Sequence, residues 1–332
     1  MPNNFFCRLL PIPNNGSQLS SQGRAFCGRG ICFLFALAML CSSNAKGQTL
    51  APKVTGIDHV RLYVTDIPKA HELYSHLYGV RSDDIPCYGT LQPCFTIGKV
   101  SYQRVVLAQA PVGKPNYAVE IVFRTDSVEQ MRQFLTSKGI ATTKIVKDKF
   151  LKSVMDAHFE VRDPEGHSIS FIQINGFPID DPGPGDPWFV HIIHAGLIVQ
   201  DREKMEHFYK DILGFRPYWH GGRKDDGVDD WVSFQVSDGT DWVEFMLNVP
   251  DNADKRLLGV MNHIALGVTD IQAAKAQLIK NGLTLTEEPK IGRGGKWQLN
   301  VYDPDGTRIE FMEFTPVQKP CCSEYTGPHP RP

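Results

Sequence analysis

The chain has 332 residues, 42% hydrophobic and 22% charged, an ordinary globular composition with room for two domains. A formal net charge of −2 gives no electrostatic footing for nucleic acid or for an anionic membrane surface. The partner expected is a small-molecule substrate.

At the N-terminus, Arg24 and Arg29 precede the apolar run ICFLFALAML (31–40) and then SSNA. That is the order of a basic n-region, a short h-region and a cleavage site with Ser43 and Ala45 at −3 and −1. So short a run does not span a bilayer as a stable helix. Residues 1–45 therefore read as a signal peptide, and the protein as exported, periplasmic or secreted, with no membrane segment after its removal. An uncleaved anchor is the other reading of the same run. Cys7, Cys27, Cys32 and Cys41 would leave with the signal. Cys87 and Cys94 bracket the turn-rich CYGTLQPC and can close a loop in an oxidising space. Cys321 and Cys322 are adjacent in a Pro-rich tail and suggest no defined bridge.

The region after the signal repeats. HVRLYVTD (59–66) and HAGLIVQD (194–201) match in register, and Tyr74 and Tyr209, Gly79 and Gly214 keep the same offset. FRTDSVEQMRQFLTSKG (123–139) matches LGVTDIQAAKAQLIKNG (266–282), and DPEGHSISF (163–171) matches DPDGTRIEF (303–311). Each unit opens with an alternating strand, passes an Asp able to cap a helix, and continues as an amphipathic helix ending at Gly. Short strands punctuated by Gly, Pro and Asp follow. The expected fold is α+β: four βαβββ units forming two domains, each a curved, mostly antiparallel sheet with flanking helices. The first domain covers 54–175 and the second 190–314. The Pro- and Gly-rich stretch 176–189 is the linker, and 315–332 reads as a loose tail.

Four residues of the second domain carry the chemistry: His194, Glu244, His263 and Glu310. In HAGLIV, VEFML, HIALGV and RIEFM each occupies the face opposite to the large apolar residues. Two imidazoles and two carboxylates converging inside a curved sheet are donors for one divalent metal ion. No Cys reaches this cup, so Fe, Mn, Ni, Co or Zn fits. On an octahedral ion, four such ligands leave two positions for adjacent substrate oxygens. His220, in the Gly-rich WHGGRKDDG, is a candidate proton shuttle, and Trp297 a candidate for the substrate side. His191 and His207 read as structural, and Arg216, Arg223, Lys224 and Arg293 as surface charges.

The paired βαβββ units, the strand-opening His, FYKDILGF (208–215) and DPDGTRIEF (303–311) together resemble the vicinal oxygen chelate superfamily over residues 54–314. That group includes glyoxalase I, methylmalonyl-CoA epimerase, bleomycin-resistance proteins and type I extradiol dioxygenases. The resemblance implies metal ligands on the first and last strands of each unit, matching His194 and Glu244, then His263 and Glu310. The full set resembles the glyoxalase and epimerase branches, with Glu244 or Glu310 as the base that moves a proton between adjacent carbons. His194, His263 and Glu310 alone resemble the iron site of extradiol dioxygenases. Those enzymes usually employ a further His and a Tyr near the last strands; 292–311 contains no His, and Tyr302 is differently spaced. A non-catalytic binding protein of the bleomycin-resistance sort is the third reading. The first domain departs from the pattern. His59 matches the first ligand position, Val119 falls at the position of His263, Ser170 replaces Glu310, and no carboxylate replaces Glu244. It is therefore expected to be metal-free.

Overall fold

A computed structural model describes residues 51–78, 93–97, 103–112, 120–151, 154–175 and 189–332. The signal peptide, Cys87, Val119 and linker residues 176–188 lie outside the described residues. Among the described residues no helix is long and apolar enough to cross a membrane.

The first domain contains β1 (Val54–Val64), α1 (Ile67–Tyr78), β2 (Cys94–Ile97) and β3 (Gln103–Gln109), then β4 (Glu120–Thr125), α2 (Val128–Ser137), β5 (Val146–Leu151), β6 (Val154–Arg162) and β7 (Ser168–Asn175). The second begins with β8 (Phe189–Ile198) and α3 (Arg202–Glu206), which widens into π-type turns over His207–Ile212. β9 (Arg216–Gly221), β10 (Trp231–Gln235), β11 (Trp242–Met246) and the short α4 (Lys255–Met261) follow. β12 (His263–Val268), α5 (Ile271–Lys280), β13 (Lys290–Ile291), β14 (Trp297–Tyr302) and β15 (Arg308–Glu313) complete it.

Each domain is one sheet, ordered β2-β3-β1-β4-β7-β6-β5 in the first and β13-β14-β15-β12-β8-β11-β10-β9 in the second. Pairing is mostly antiparallel, but the first and last strands of every unit run parallel: β1 with β3, β4 with β7, β8 with β11, β12 with β15. The first strands of paired units meet antiparallel at the centre, β1 against β4 and β8 against β12. This connectivity brings the two first and two last strands of a domain side by side.

The helices begin where polar caps allow. The Asp270 carboxylate accepts from the backbone N–H groups of Gln272 and Ala273. In the second unit the cap is Ser127 rather than Asp126, one residue later than the repeat suggested. Gly139 and Gly282 close their helices with positive φ.

Large apolar residues on the convex faces merge into one core shared by both domains. Phe123 and Phe215 meet edge-on across it at 5.4 Å. Around this core the two halves exchange matching contacts. Tyr74 on α1 donates to Asp303 at 3.3 Å, and Tyr209 donates to Asp163 at 3.2 Å. The Thr65 backbone N–H donates to Asp305, and that of Gln200 to Glu165. Residues of equal rank in the repeat thus swap partners about a pseudo-twofold axis.

The tail differs from expectation. Residues 315–332 contain no helix or strand, yet they are packed. The Val317 N–H donates to the Gly295 carbonyl at 2.8 Å, and the Tyr325 hydroxyl to that of Gly294 at 2.9 Å. The Tyr325 ring lies 4.8 Å from that of Tyr218, and His329 Nδ1 is 2.6 Å from the Tyr218 hydroxyl. A few aromatic anchors fix a segment whose Pro content suggested a free end. Cys321 and Cys322, whose position suggested no defined bridge, form a disulfide with each other, and Cys94 is also disulfide-bonded.

Candidate functional site

The four central strands of the second sheet determine which side chains meet. In the register, Gly196 stands beside both Glu244 and His263, while His194 stands beside Trp242 and Ala265. Ala265 in turn faces Glu310 on β15. The small residues make the room. A Cβ on residue 196 would overlap the His263 ring, so this imidazole can cross β8 only over a glycine.

The result is a compact donor cluster. His194 Nε2 is 3.0 Å from His263 Nε2 and 3.6 Å from Glu310 Oε2, and His263 Nε2 is also 3.6 Å from that oxygen. Glu244 Oε2 completes the set at 3.5 Å from His263 Nε2 and 3.9 Å from His194 Nε2. An ion with bonds of about 2.1 Å holds adjacent ligand atoms about 3.0 Å apart in octahedral geometry, so the spacing suits a small divalent cation. His194, His263 and Glu310 are buried; Glu244 is partly exposed and stays within 3.5 Å of the Ser233 hydroxyl.

Orientation and charge follow from the surroundings. His263 Nδ1 donates to the Met261 carbonyl at 3.1 Å, which leaves the Nε2 lone pair directed into the cluster. The Nδ1 of His194 has no hydrogen-bond partner among the described residues. Its ring is held by Trp242, 4.6 Å away. Burial drives both imidazoles well below the ordinary histidine range, so both are neutral and able to donate a lone pair. Burial also pushes the Glu310 carboxyl up to about 7, despite the nearby Arg308.

One neighbour escaped the sequence reading. Lys296, 1% exposed, lies with its Nζ 4.9 Å from the Trp242 ring, 5.1 Å from Tyr325 and 5.6 Å from Tyr218. Burial lowers its pKa to about 7 against the pull of Glu310 and Glu244. The available signal was its parity with Gln298 and Asn300, which face β15 opposite Met312 and Glu310. Tyr218 and Tyr325 were missed with it.

The expectations for His220 and Trp297 are corrected. His220 pairs in register with Val232, whereas its neighbour Trp219 pairs with Ser233 on the Glu244 side. The His220 side chain therefore points away from the cup and contacts Asp229 at 2.7 Å. Trp297 packs on the main core instead of the substrate side. The Tyr302 hydroxyl donates to Glu287. His191 lies against Phe314 and 3.5 Å from Asp241, and His207 contacts Asp211. Arg223 pairs with Asp230, and Arg293 with Asp225.

The first-domain register places His59, Val106, Glu120 and Ser170 where the second has His194, Glu244, His263 and Glu310. The counterpart of His263 is Glu120, one residue after Val119. Glu120 accepts from Arg61 at 2.6 Å and from Ser170 at 3.0 Å.

Comparison with known proteins agrees with this architecture. The sequence model of the Glyoxalase/Bleomycin resistance protein/Dioxygenase superfamily matches residues 191–311. A lactoylglutathione lyase of Haemophilus influenzae is 32% identical over 126 residues, which cover 37% of this chain and 93% of that protein. Among solved structures, a variant of homoprotocatechuate 2,3-dioxygenase from B. fuscum superposes with a TM-score of 0.60 at 19% identity, covering 85% of this chain and 75% of that one. The corresponding dioxygenase of Arthrobacter globiformis gives 0.59 at 19% identity, with coverages of 84% and 83%. Those likenesses establish the two-domain fold, and the identity with the lactoylglutathione lyase establishes descent. The chain belongs to the glyoxalase, bleomycin-resistance and dioxygenase superfamily, the vicinal oxygen chelate group.

Proposed function

We propose that the protein is a metal-dependent enzyme of glyoxalase or epimerase type, a lyase or isomerase, acting on a small substrate with two adjacent oxygens. The observation that carries this reading is the approach of Glu244 Oε2 to within 3.5 Å of His263 Nε2 and 3.9 Å of His194 Nε2, where it would add a fourth donor to the group of His194, His263 and Glu310. A bound divalent ion (Fe, Mn, Ni, Co or Zn) would act as a Lewis acid toward those oxygens. The chain's own part is to move the proton. Glu244, partly exposed beside Ser233, and buried Glu310 stand on the same concave face and serve as the acid–base pair. Trp242, Tyr218 and Tyr325 exclude water and keep Lys296 close to the developing negative charge. An exported, periplasmic or secreted location belongs to this reading and argues for a substrate other than a cytosolic thiol conjugate.

A second reading, ring-cleaving Fe(II) dioxygenation, is favoured by the compact His194, His263 and Glu310 triad and by the two-domain likeness to the 2,3-dioxygenases. Elemental analysis of protein purified without chelators and without air separates the two. One ion per chain is expected. Iron with catechol-dependent oxygen uptake would establish the second reading. Another metal, with exchange of a substrate carbon-bound hydrogen with solvent, would establish the first. His263→Ala is expected to abolish metal binding and His59→Ala to leave it intact. One ion retained in the His263 variant would refute the assignment.

A further inference from the structure

The concave face of the first domain encloses a cavity of about 470 Å³, within the range of small-molecule sites. Its centre differs from the cluster in the second domain. Glu120 is committed to Arg61 and Ser170, and Glu160 accepts from Ser168 at 2.8 Å and pairs with Arg162 at 2.6 Å. Asp156 is the exception. It is 1% exposed, it lines the cavity, and neither of its carboxyl oxygens accepts a hydrogen bond from the described residues. Among those residues the group that pairs with it is His158, at 3.9 Å. Asp156 stands on β6 where Lys296 precedes β14, because Glu160 faces Ser170 as Asn300 faces Glu310. The second domain wraps a buried cation in aromatic rings at this position, and the first buries in the wall of a cavity a carboxyl that accepts no hydrogen bond from the described residues.

A buried carboxyl without donors is costly and persists where something else supplies them. We infer that the first-domain cup is a second binding site, for a small organic amine whose ammonium group donates to Asp156. Val106, Val122 and Ile172 line the same cavity and receive the hydrocarbon part of the ligand. A metal ion fits less well. It requires several unshared oxygen or nitrogen donors, and the positions of Glu244 and Glu310 are held here by Val106 and Ser170. Arg61 is engaged by Glu120 and Lys144 is exposed at the rim, so neither satisfies Asp156. The inference is independent of what the second domain does.

Calorimetric titration of the whole protein with benzylamine, and in parallel with benzyl alcohol, tests it. One saturable benzylamine site per chain is expected, at least tenfold weaker for the alcohol and for Asp156→Asn, and unchanged in His263→Ala. Absence of saturable binding, equal binding of the alcohol, or unchanged binding by the Asp156 variant would overturn it. A thermal melt without ligand supplies the second readout. Asp156→Asn is expected to unfold at or above the wild-type temperature, because the carboxyl is held for a ligand at the expense of stability. A drop of more than about 5 °C would assign Asp156 a structural role and overturn the inference as well.

Discussion

At the scale of single residues, Gly196 decides whether the second-domain cluster can form. Its missing side chain is the space in which the His263 ring lies, and that ring is buried with its Nδ1 tied to Met261. In Gly196→Ala the new methyl overlaps the ring, and a packed site yields only by displacing it. We predict an overpacking cost of about 1–3 kcal/mol and a fall in metal affinity of roughly 10–100-fold, read by denaturant unfolding and by metal titration. Unchanged affinity would mean that His263 is not a ligand. The meeting of His194, Glu244, His263 and Glu310 was legible in the sequence because strand parity separates them from the apolar set. Glu120 was missed by one residue for a local reason. His263 lies seven residues before the helix cap Asp270, and Glu120 lies seven before its own cap, which is Ser127 and not Asp126. The parity of Lys296 with Gln298 and Asn300 marked its face, but nothing in GRGGKWQLN announces that rings from β9, β11 and the tail will close over a lysine.

At the scale of elements, the DPDG turn before β15 and the tail each join parts that the sequence treated separately. Asp303 receives the backbone N–H groups of Asp305 and Thr307 and the hydroxyl of Tyr74 from the other domain. Burial raises its carboxyl to about 6 in spite of those bonds. The native state therefore binds a proton more tightly than the unfolded chain, whose carboxyl titrates near 3.8. Stability from this group is fully present below the unfolded value and is lost as pH rises through 6. Asp303→Asn keeps the oxygen that caps the turn and removes the titration. From pH 8 to pH 5 the wild type should gain roughly 1–1.5 kcal/mol relative to the variant in denaturant unfolding; a constant difference would place the titration elsewhere. The tail makes a parallel case. Tyr325 packs on Tyr218 and Trp219 and covers Lys296. Tyr325→Ala should cost about 2 kcal/mol and open residues 315–332 to proteolysis at least tenfold faster. Equal proteolysis would restore the loose tail that the Pro-rich composition suggested.

At the scale of the whole molecule, the four units behave as two copies of one half that have become each other's partner. The lactoylglutathione lyase relative spans 126 aligned residues, about the extent of the second half alone. The internal contacts show what that half needs from outside. Tyr209 and Phe215 are buried because Asp163 and Phe123 of the first half meet them. Yet the second half carries its own version of the missing partner: Asp303 holds the turn position of Asp163, and in the intact chain it serves Tyr74. In a fragment covering 189–332 the aromatic face would lie exposed, an unstable condition for a single copy. Two copies related by a twofold axis can satisfy it, with Asp303 of each receiving Tyr209 of the other, because an isologous interface requires only self-complementary patches. We therefore predict that the fragment sediments as a dimer and that Phe215→Asp abolishes the dimer. The intact protein already contains both halves and needs no second chain for this contact. A fragment that is monomeric, soluble and cooperative in unfolding would show instead that the second half closes its own core, and that the exchanged tyrosines only join two independent domains.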